Sequence, residues 1–153
     1  MHWAICKEFG IEVKERWYEH EPKTVTWNDS VTILWDMPIH TDRTIAANRP
    51  DIVLKNKKDK ICLLIDMTVS LDTNTSVKAT QKFTKYKDLE MEVERMWGLK
   101  TTTVPVVMGA LGTIKKYMGN CSYKIRGNIN IHELQKITLL STAHLLRWVL
   151  SIK

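Results

Sequence analysis

The sequence predicts an α/β fold, with one mixed sheet flanked by helices and a further helix at the C-terminal end. Three features predict it. β-rich segments cluster between residues 31 and 69, an amphipathic helical segment follows them, and a fourth β-rich segment lies at 104–112. Elements in the order helix, three strands, helix, strand and helix fit a sheet that is covered by helices.

The composition is typical of a folded domain. Hydrophobic residues make up 44% and charged residues 26% of the 153 residues, which is the globular range. No apolar run approaches the roughly 18 residues of a membrane helix, so we expect no membrane partner. We expect a single domain with a helical lead-in at 1–30, a core at 31–112 and C-terminal helices at 113–153.

The three cysteines limit the cross-links that the chain can form. Cys6, Cys62 and Cys121 are widely spaced and odd in number, which excludes a disulfide framework and a four-cysteine zinc site within one chain. We therefore expect a reducing, intracellular compartment.

The first element is a helix over residues 1–9, for which Gly10 is a suitable C-terminal cap. The abrupt apolar start of this helix indicates that the chain begins inside a longer protein. Residues 11–30 have no clear pattern, and Pro22 ends any helix that precedes it.

Three strands are expected next, at 31–39, 51–55 and 60–69. The third is apolar on both faces, as expected of a central strand that is covered on both sides. Residues 56–59, with the sequence NKKD, form a short polar turn, so the second and third strands should pair as a hairpin.

A long helix should follow, capped by Asn74 or Thr75 and ending at Gly98. Its apolar residues recur every three or four positions, which indicates a buried stripe. They are Phe83, Tyr86, Leu89, Val93, Met96 and Trp97. After the fourth strand we expect a short helix at 113–119 and a final helix at 131–151.

Two aspartates are the strongest candidates for chemistry. Asp51 stands at the mouth of the second strand, and Asp66 lies inside the apolar third strand. A hairpin would bring both to the sheet end that lies away from the turn, where two carboxylates can hold Mg²⁺. The alternative is structural: Asp51 caps a turn, and Asp66, whose burial must be compensated, pairs with a lysine.

Lys82 and Lys85 are the candidate cations beside these carboxylates. Stepping back along the helical stripe from Leu89 and Tyr86 reaches Lys82, which should therefore face the sheet, whereas Lys85 lies on the flank. Two aspartates, a metal and an inward lysine suit phosphodiester hydrolysis. The alternative for Lys82 is a stem that packs while its ammonium reaches solvent.

Other candidates carry weaker signals. The net charge of +6 permits a nucleic-acid partner. Arg43 and Arg49 precede Asp51 and either contact phosphates or lie in a solvated loop. His2 and Cys6 are four residues apart on one helix, so they either bind zinc or simply pack, because two ligands do not make a site.

RPD at 49–51, followed by a hairpin and IDMTV at 65–69, resembles the PD-(D/E)XK, or restriction-like, nuclease superfamily. More closely, the chain is similar to the restriction-like endonuclease region at the C-terminal end of non-LTR retrotransposon polyproteins. Five stretches are similar to that family in the same order. They are 41–53, 63–74, 82–97, 104–114 and 134–150.

The resemblance implies an α-β-β-β-α-β core and metal-dependent DNA cleavage, in which the released 3′-hydroxyl primes reverse transcription. Asp51 and Asp66 match the two metal-binding acids, with Mg²⁺ as the cofactor and Mn²⁺ as an alternative. Thr68 occupies the position of the orthodox lysine, and Lys82 or Lys85 matches the lysine that replaces it in this family.

The resemblance also implies partners and a location. An upstream reverse transcriptase domain would belong to the same polyprotein, DNA would be the substrate, and the protein would be nuclear. Our candidates for contact with DNA are Arg43, Arg49 and Tyr86. Two other interpretations stay open: an inactive nucleic-acid-binding remnant of the same fold, and a structural or protein-interaction remnant.

Overall fold

The computed structural model describes residues 2–70, 75–109, 143 and 147–151. Its elements are helix α1 (His2–Glu8), a 3₁₀ turn (Trp17–Glu19), strands β1 (Val25–Trp27), β2 (Val31–Trp35), β3 (Ile52–Asn56) and β4 (Ile61–Ser70), helices α2 (Thr75–Lys85) and α3 (Lys87–Trp97), and strand β5 (Lys100–Gly109).

The five strands form one mixed sheet in the order β1-β2-β3-β4-β5. Neighbours from β1 to β4 are antiparallel, whereas β4 and β5 are parallel. A parallel pair requires a crossover connection, which the α2–α3 segment supplies. The predicted α/β class and mixed sheet are confirmed, as is the β3–β4 hairpin.

Side chains of the central strands alternate between two apolar layers. One layer, which we call the α1 face, joins Ile5 and Cys6 of α1 to Ile52 and Ile65 of the sheet. The other layer is the α3 face, where Leu89 and Val93 of α3 pack with β3 and β4 residues that alternate with those of the first layer. They are Val53, Cys62 and Leu64. Successive residues of one strand therefore serve opposite faces.

The end of the first helix agrees with its prediction, but the rest of the lead-in is only partly helical. Gly10 follows α1 with φ +70°, a conformation that glycine adopts without steric cost. Residues 11–30 contain a 3₁₀ turn and β1, and the short strand β1 was not predicted. Three residues are too few for a visible period-2 pattern.

The predicted long helix is two helices that meet at Tyr86, whose φ of −101° and ψ of 8° are not helical. Because the stripe shifts at this break, Phe83 is 43% exposed and does not belong to the core, contrary to prediction. Gly98 ends α3 in the left-handed conformation, as its position predicted.

Strand β5 begins at Lys100, four residues earlier than expected, because the Thr-rich run before Val104 also pairs with β4. The predicted helix at 113–119 and most of the helix at 131–151 lie outside the described residues; residues 143 and 147–151 are helical. Within the described ranges, no helix has the length and apolar character needed to cross a bilayer.

Candidate active site

The hairpin register brings the two candidate aspartates together. Ile52 of β3 stands across from Ile65 of β4. One further step along that register puts Asp51 across from Asp66, at the end of the hairpin that lies away from its turn. Directly opposed residues of an antiparallel pair have Cβ atoms about 4.5–5.5 Å apart. Alternation directs both aspartates to the α3 face.

A lysine from α2 completes this group. The Lys82 Nζ atom lies 2.7 Å from the Asp66 Oδ2 atom, and the Lys82 side chain is only 20% exposed. Lys85 Nζ lies 3.9 Å from the same oxygen, and its side chain is 49% exposed. Lys82 is therefore the inward cation and Lys85 the flanking one, as their helical positions predicted.

The two carboxylates share a hydrogen bond and have opposite pKa shifts. Burial raises the pKa of Asp51, and its hydrogen bond with Asp66 raises it further, although the Met67 amide donates to Asp51 Oδ2 at 2.7 Å and opposes this shift. Burial would also raise the pKa of Asp66, but hydrogen bonds from Asp51, Lys82 and Tyr86 hold it below its usual value. In this pair, Asp51 is the favoured proton carrier and Asp66 the favoured anion.

Tyr86 is buried, as its place in the helical stripe predicted, and this burial disagrees with the expectation that it contacts nucleic acid. We expected it to contact nucleic acid, but it is 1% exposed, which leaves it no surface for a base or a phosphate. Its hydroxyl donates to the Arg49 carbonyl at 3.4 Å. The same phenol lies beside Asp66 and helps to lower the pKa of that carboxyl. Burial beside Asp66 raises the pKa of this phenol. Tyr86 thus lies in the interior beside Asp66.

The two arginines that precede the site are exposed. Arg43, with 75% of its side chain exposed, lies 3.4 Å from Glu92. The Arg49 side chain is 57% exposed, and its Nε atom donates to Asp36 Oδ1 at 2.9 Å. Their contact with nucleic acid stays a prediction, although the backbone of Arg49 is tied to the site through Tyr86.

Thr68 stands two residues after Asp66 on β4, and the same alternation assigns it to the same face. A lysine at this position would approach Asp66 from the strand itself. The cation comes instead from α2, which follows the strand and packs against it. The geometry thus supplies a lysine near the acids although position 68 carries none.

A second cluster lies on the α1 face. His2 and Cys6 of α1 are both buried, and His20 joins them from the segment after the 3₁₀ turn. Their candidate ligand atoms lie within 4.8 Å of one another. Sequence reasoning considered His2 and Cys6 and missed His20. No periodic pattern marks the segment that carries His20, and only the fold brings it back to α1.

Comparisons of the chain with protein-family models, with curated proteins and with solved structures find no match.

Proposed function

We propose that this chain is a Mg²⁺-dependent DNA endonuclease domain with a restriction-endonuclease-like core, belonging to a non-LTR retrotransposon protein. The observation that carries the proposal is the group formed by Asp51, Asp66 and Lys82 at one end of the β3–β4 hairpin. Two facing carboxylates with an inward ammonium are the parts that phosphodiester hydrolysis requires.

The donor set fits Mg²⁺, or Mn²⁺ in its place. Asp51 and Asp66 offer hard carboxylate oxygens, the ligand type that these ions prefer. Burial raises the pKa of Asp51, and its hydrogen bond with Asp66 and the nearby negative charge of Asp66 raise it further. A divalent cation between the two carboxylates would take the place of the proton that these conditions favour on Asp51. When bound there, the cation would supply Lewis-acid polarisation of the scissile phosphate.

The protein's own residues would hold and balance this arrangement. The Met67 amide fixes Asp51, and the Tyr86 hydroxyl together with Lys82 fixes Asp66. In the proposed reaction, Lys82 orients the attacking water or stabilises negative charge that develops on the phosphate. Lys85, farther out and more exposed, approaches the same carboxylate from the solvent side.

DNA is the proposed substrate because the chain is basic, with a net charge of +6, and such charge favours phosphate contacts. Arg43 and Arg49 are exposed on the segment that leads to the site. A 3′-hydroxyl released here would prime the reverse transcriptase domain proposed upstream, in the nucleus.

A second candidate function is DNA binding without cleavage. The close ion pair between Lys82 and Asp66 already neutralises one of the proposed metal ligands. Thr68, where the superfamily's orthodox lysine would stand, adds no charge of its own. A decayed domain could keep this ion pair for stability alone.

The test is Mg²⁺-dependent nicking of supercoiled plasmid DNA by the full chain. We expect nicking with Mg²⁺, none with a chelator, and loss of detectable nicking in Asp66→Asn, which keeps the side-chain size and removes the charge. Asp29→Asn, an exposed aspartate in the β1–β2 turn, makes the same change elsewhere and should nick normally.

Three other results would each reject part of the proposal. Nicking that survives in Asp66→Asn would reject the assigned site. DNA binding without nicking in the parent protein would reject the enzyme and support the second candidate. Absence of both binding and nicking would reject both candidates.

A further inference from the structure

We propose that His2, Cys6 and His20 form a zinc site on the α1 face, separate from the carboxylate pair. The site takes two ligands from α1 and one from the segment that follows the 3₁₀ turn. The proposal does not depend on the endonuclease activity, because its ligands lie on the other side of the sheet and differ in chemical type.

The positions of the three side chains follow from local structure. Residues four apart on a helix share one face, so α1 presents His2 and Cys6 side by side. His2 is 2% and Cys6 0% exposed. The His2 ring stands edge-on to Trp35 at 5.4 Å, which limits its orientation. The His2 Nδ1 atom lies 2.7 Å from His20 Nε2 and 3.6 Å from Cys6 Sγ.

These donors suit zinc better than magnesium. Two imidazoles and a thiolate are borderline and soft ligands, of the kind found in Zn²⁺ sites. Zn–N bonds near 2.0 Å and a Zn–S bond near 2.3 Å place tetrahedral donors about 3.3–3.6 Å apart. The Cys6–His2 separation of 3.6 Å matches this spacing. The His2–His20 separation of 2.7 Å must widen by about 0.6 Å. The ring centroids lie 5.0 Å apart with a 22° interplanar angle, so the two nitrogens now face each other and the rings must also turn to direct both at one ion.

The residues around the cluster leave room for His20 to move and for a fourth zinc ligand. His20 is half-buried in a stretch without regular structure, so its ring can move more readily than the helix residues. Cys6 and His20 are among the residues that line an open cavity of about 860 Å³. Water in this cavity can occupy the fourth coordination position, the usual arrangement when protein supplies three ligands.

Bound zinc would hold residues 11–24 to the sheet. This segment has one 3₁₀ turn and no strand, and the Trp3 indole donates to the Lys14 carbonyl at 2.8 Å within it. A metal would replace the single hydrogen bond between His2 and His20 with coordination bonds and so strengthen the attachment at this point. Lys14, Arg16 and Lys23 are exposed on either side of His20, so the rate of trypsin cleavage there reports on the attachment.

The experiment is titration of the metal-free full chain with Co²⁺, a spectroscopic substitute for Zn²⁺. We expect one equivalent to bind with a thiolate-to-cobalt charge-transfer band, and Zn²⁺ to displace it. Cys6→Ser should abolish the band, and His20→Gln should weaken binding by at least about tenfold. Zn²⁺ should slow trypsin cleavage in the parent protein and not in His20→Gln.

Matched controls change the same residue types elsewhere. Cys62→Ser, Cys121→Ser and His40→Gln should keep the band, and circular dichroism verifies that each variant is folded. If Cys6→Ser does not fold, His20→Gln still tests the site, because His20 lies outside the core layers. A parent protein without the band, or a band that either site variant leaves unchanged, would overturn the proposal and leave a plain imidazole hydrogen bond beside a buried thiol.

Discussion

The two faces of the sheet carry side-chain clusters that differ in the type of ligand atom and in the elements that supply the residues. On the α3 face, oxygen ligands come from adjacent strands, and a lysine comes from the helix that crosses over them. On the α1 face, nitrogen and sulfur ligands come from one short helix and a segment without regular structure. Strand register holds the first cluster, whereas the second depends on how the lead-in lies against the sheet.

The two clusters should respond differently to metal binding and to substitution. Asp51 and Asp66 are backed by paired strands and by bonds from Met67, Tyr86 and Lys82. His20 lies outside the helices and strands, so fewer backbone hydrogen bonds hold it in place. We therefore expect the carboxylate group to keep its geometry without a metal and the His–Cys–His group to tighten when metal binds.

The largest expected effect separates the two lysines of the α3 face. Lys82→Ala should lower the nicking rate by about 10²–10³-fold, the usual cost of removing a group that stabilises developing charge. Lys85→Ala should lower the nicking rate less, because the Lys85 ammonium lies 3.9 Å from Asp66 and its side chain is half-exposed. Lys78→Ala, on the exposed side of α2, is the matched control. If Lys85→Ala proved the more damaging variant, the assignment of the inward lysine would be reversed.

The second prediction compares the stability that the two helical layers contribute. Leu89 and Ile5 are both 0% exposed. Leu89→Ala should lower the free energy of unfolding by about 2–5 kcal/mol, in the range of buried large-to-small changes. Ile5→Ala should lower the free energy of unfolding by a smaller amount within this range, because the seven-residue α1 can shift into the cavity that the substitution leaves. Helix α3, in contrast, is held between α2 and β5. Urea denaturation measures both, and equal losses would mean that α1 is anchored as firmly as α3.

The smallest expected effect concerns the arginines. Arg49→Ala should weaken DNA binding modestly and reduce the slope of log affinity against log salt by about 0.9, the value for one lost phosphate contact. Arg43→Ala should act in the same direction. Arg16→Ala removes an equal charge from the lead-in, where the side chain pairs with Glu19, and should leave the slope unchanged. A slope that falls equally in all three variants would show that only net charge matters.

Much of the α3 face could be predicted from the sequence, because its signals are local. The polar turn at 56–59 indicated the hairpin, and the hairpin places Asp51 and Asp66 at the same end. Helical spacing from Leu89 indicated that Lys82 points inward. The same stripe predicted that Tyr86 is buried, whereas the expectation that it contacts nucleic acid disagrees with that burial. An apolar stripe indicates burial but does not show which polar group lies beside the hydroxyl of a buried tyrosine.

Local sequence pattern was enough to locate strands β2, β3 and β4, the hairpin between β3 and β4, and the helix ends at Gly10 and Gly98. These properties depend on alternation, helical period and backbone freedom, which act over a few residues. The break of the helix at Tyr86, where the ring is buried beside Asp66, depends on packing between distant segments. Packing of this kind also brings His20 to His2 across 18 positions, because contacts between distant segments depend on how whole layers pack and not on local pattern.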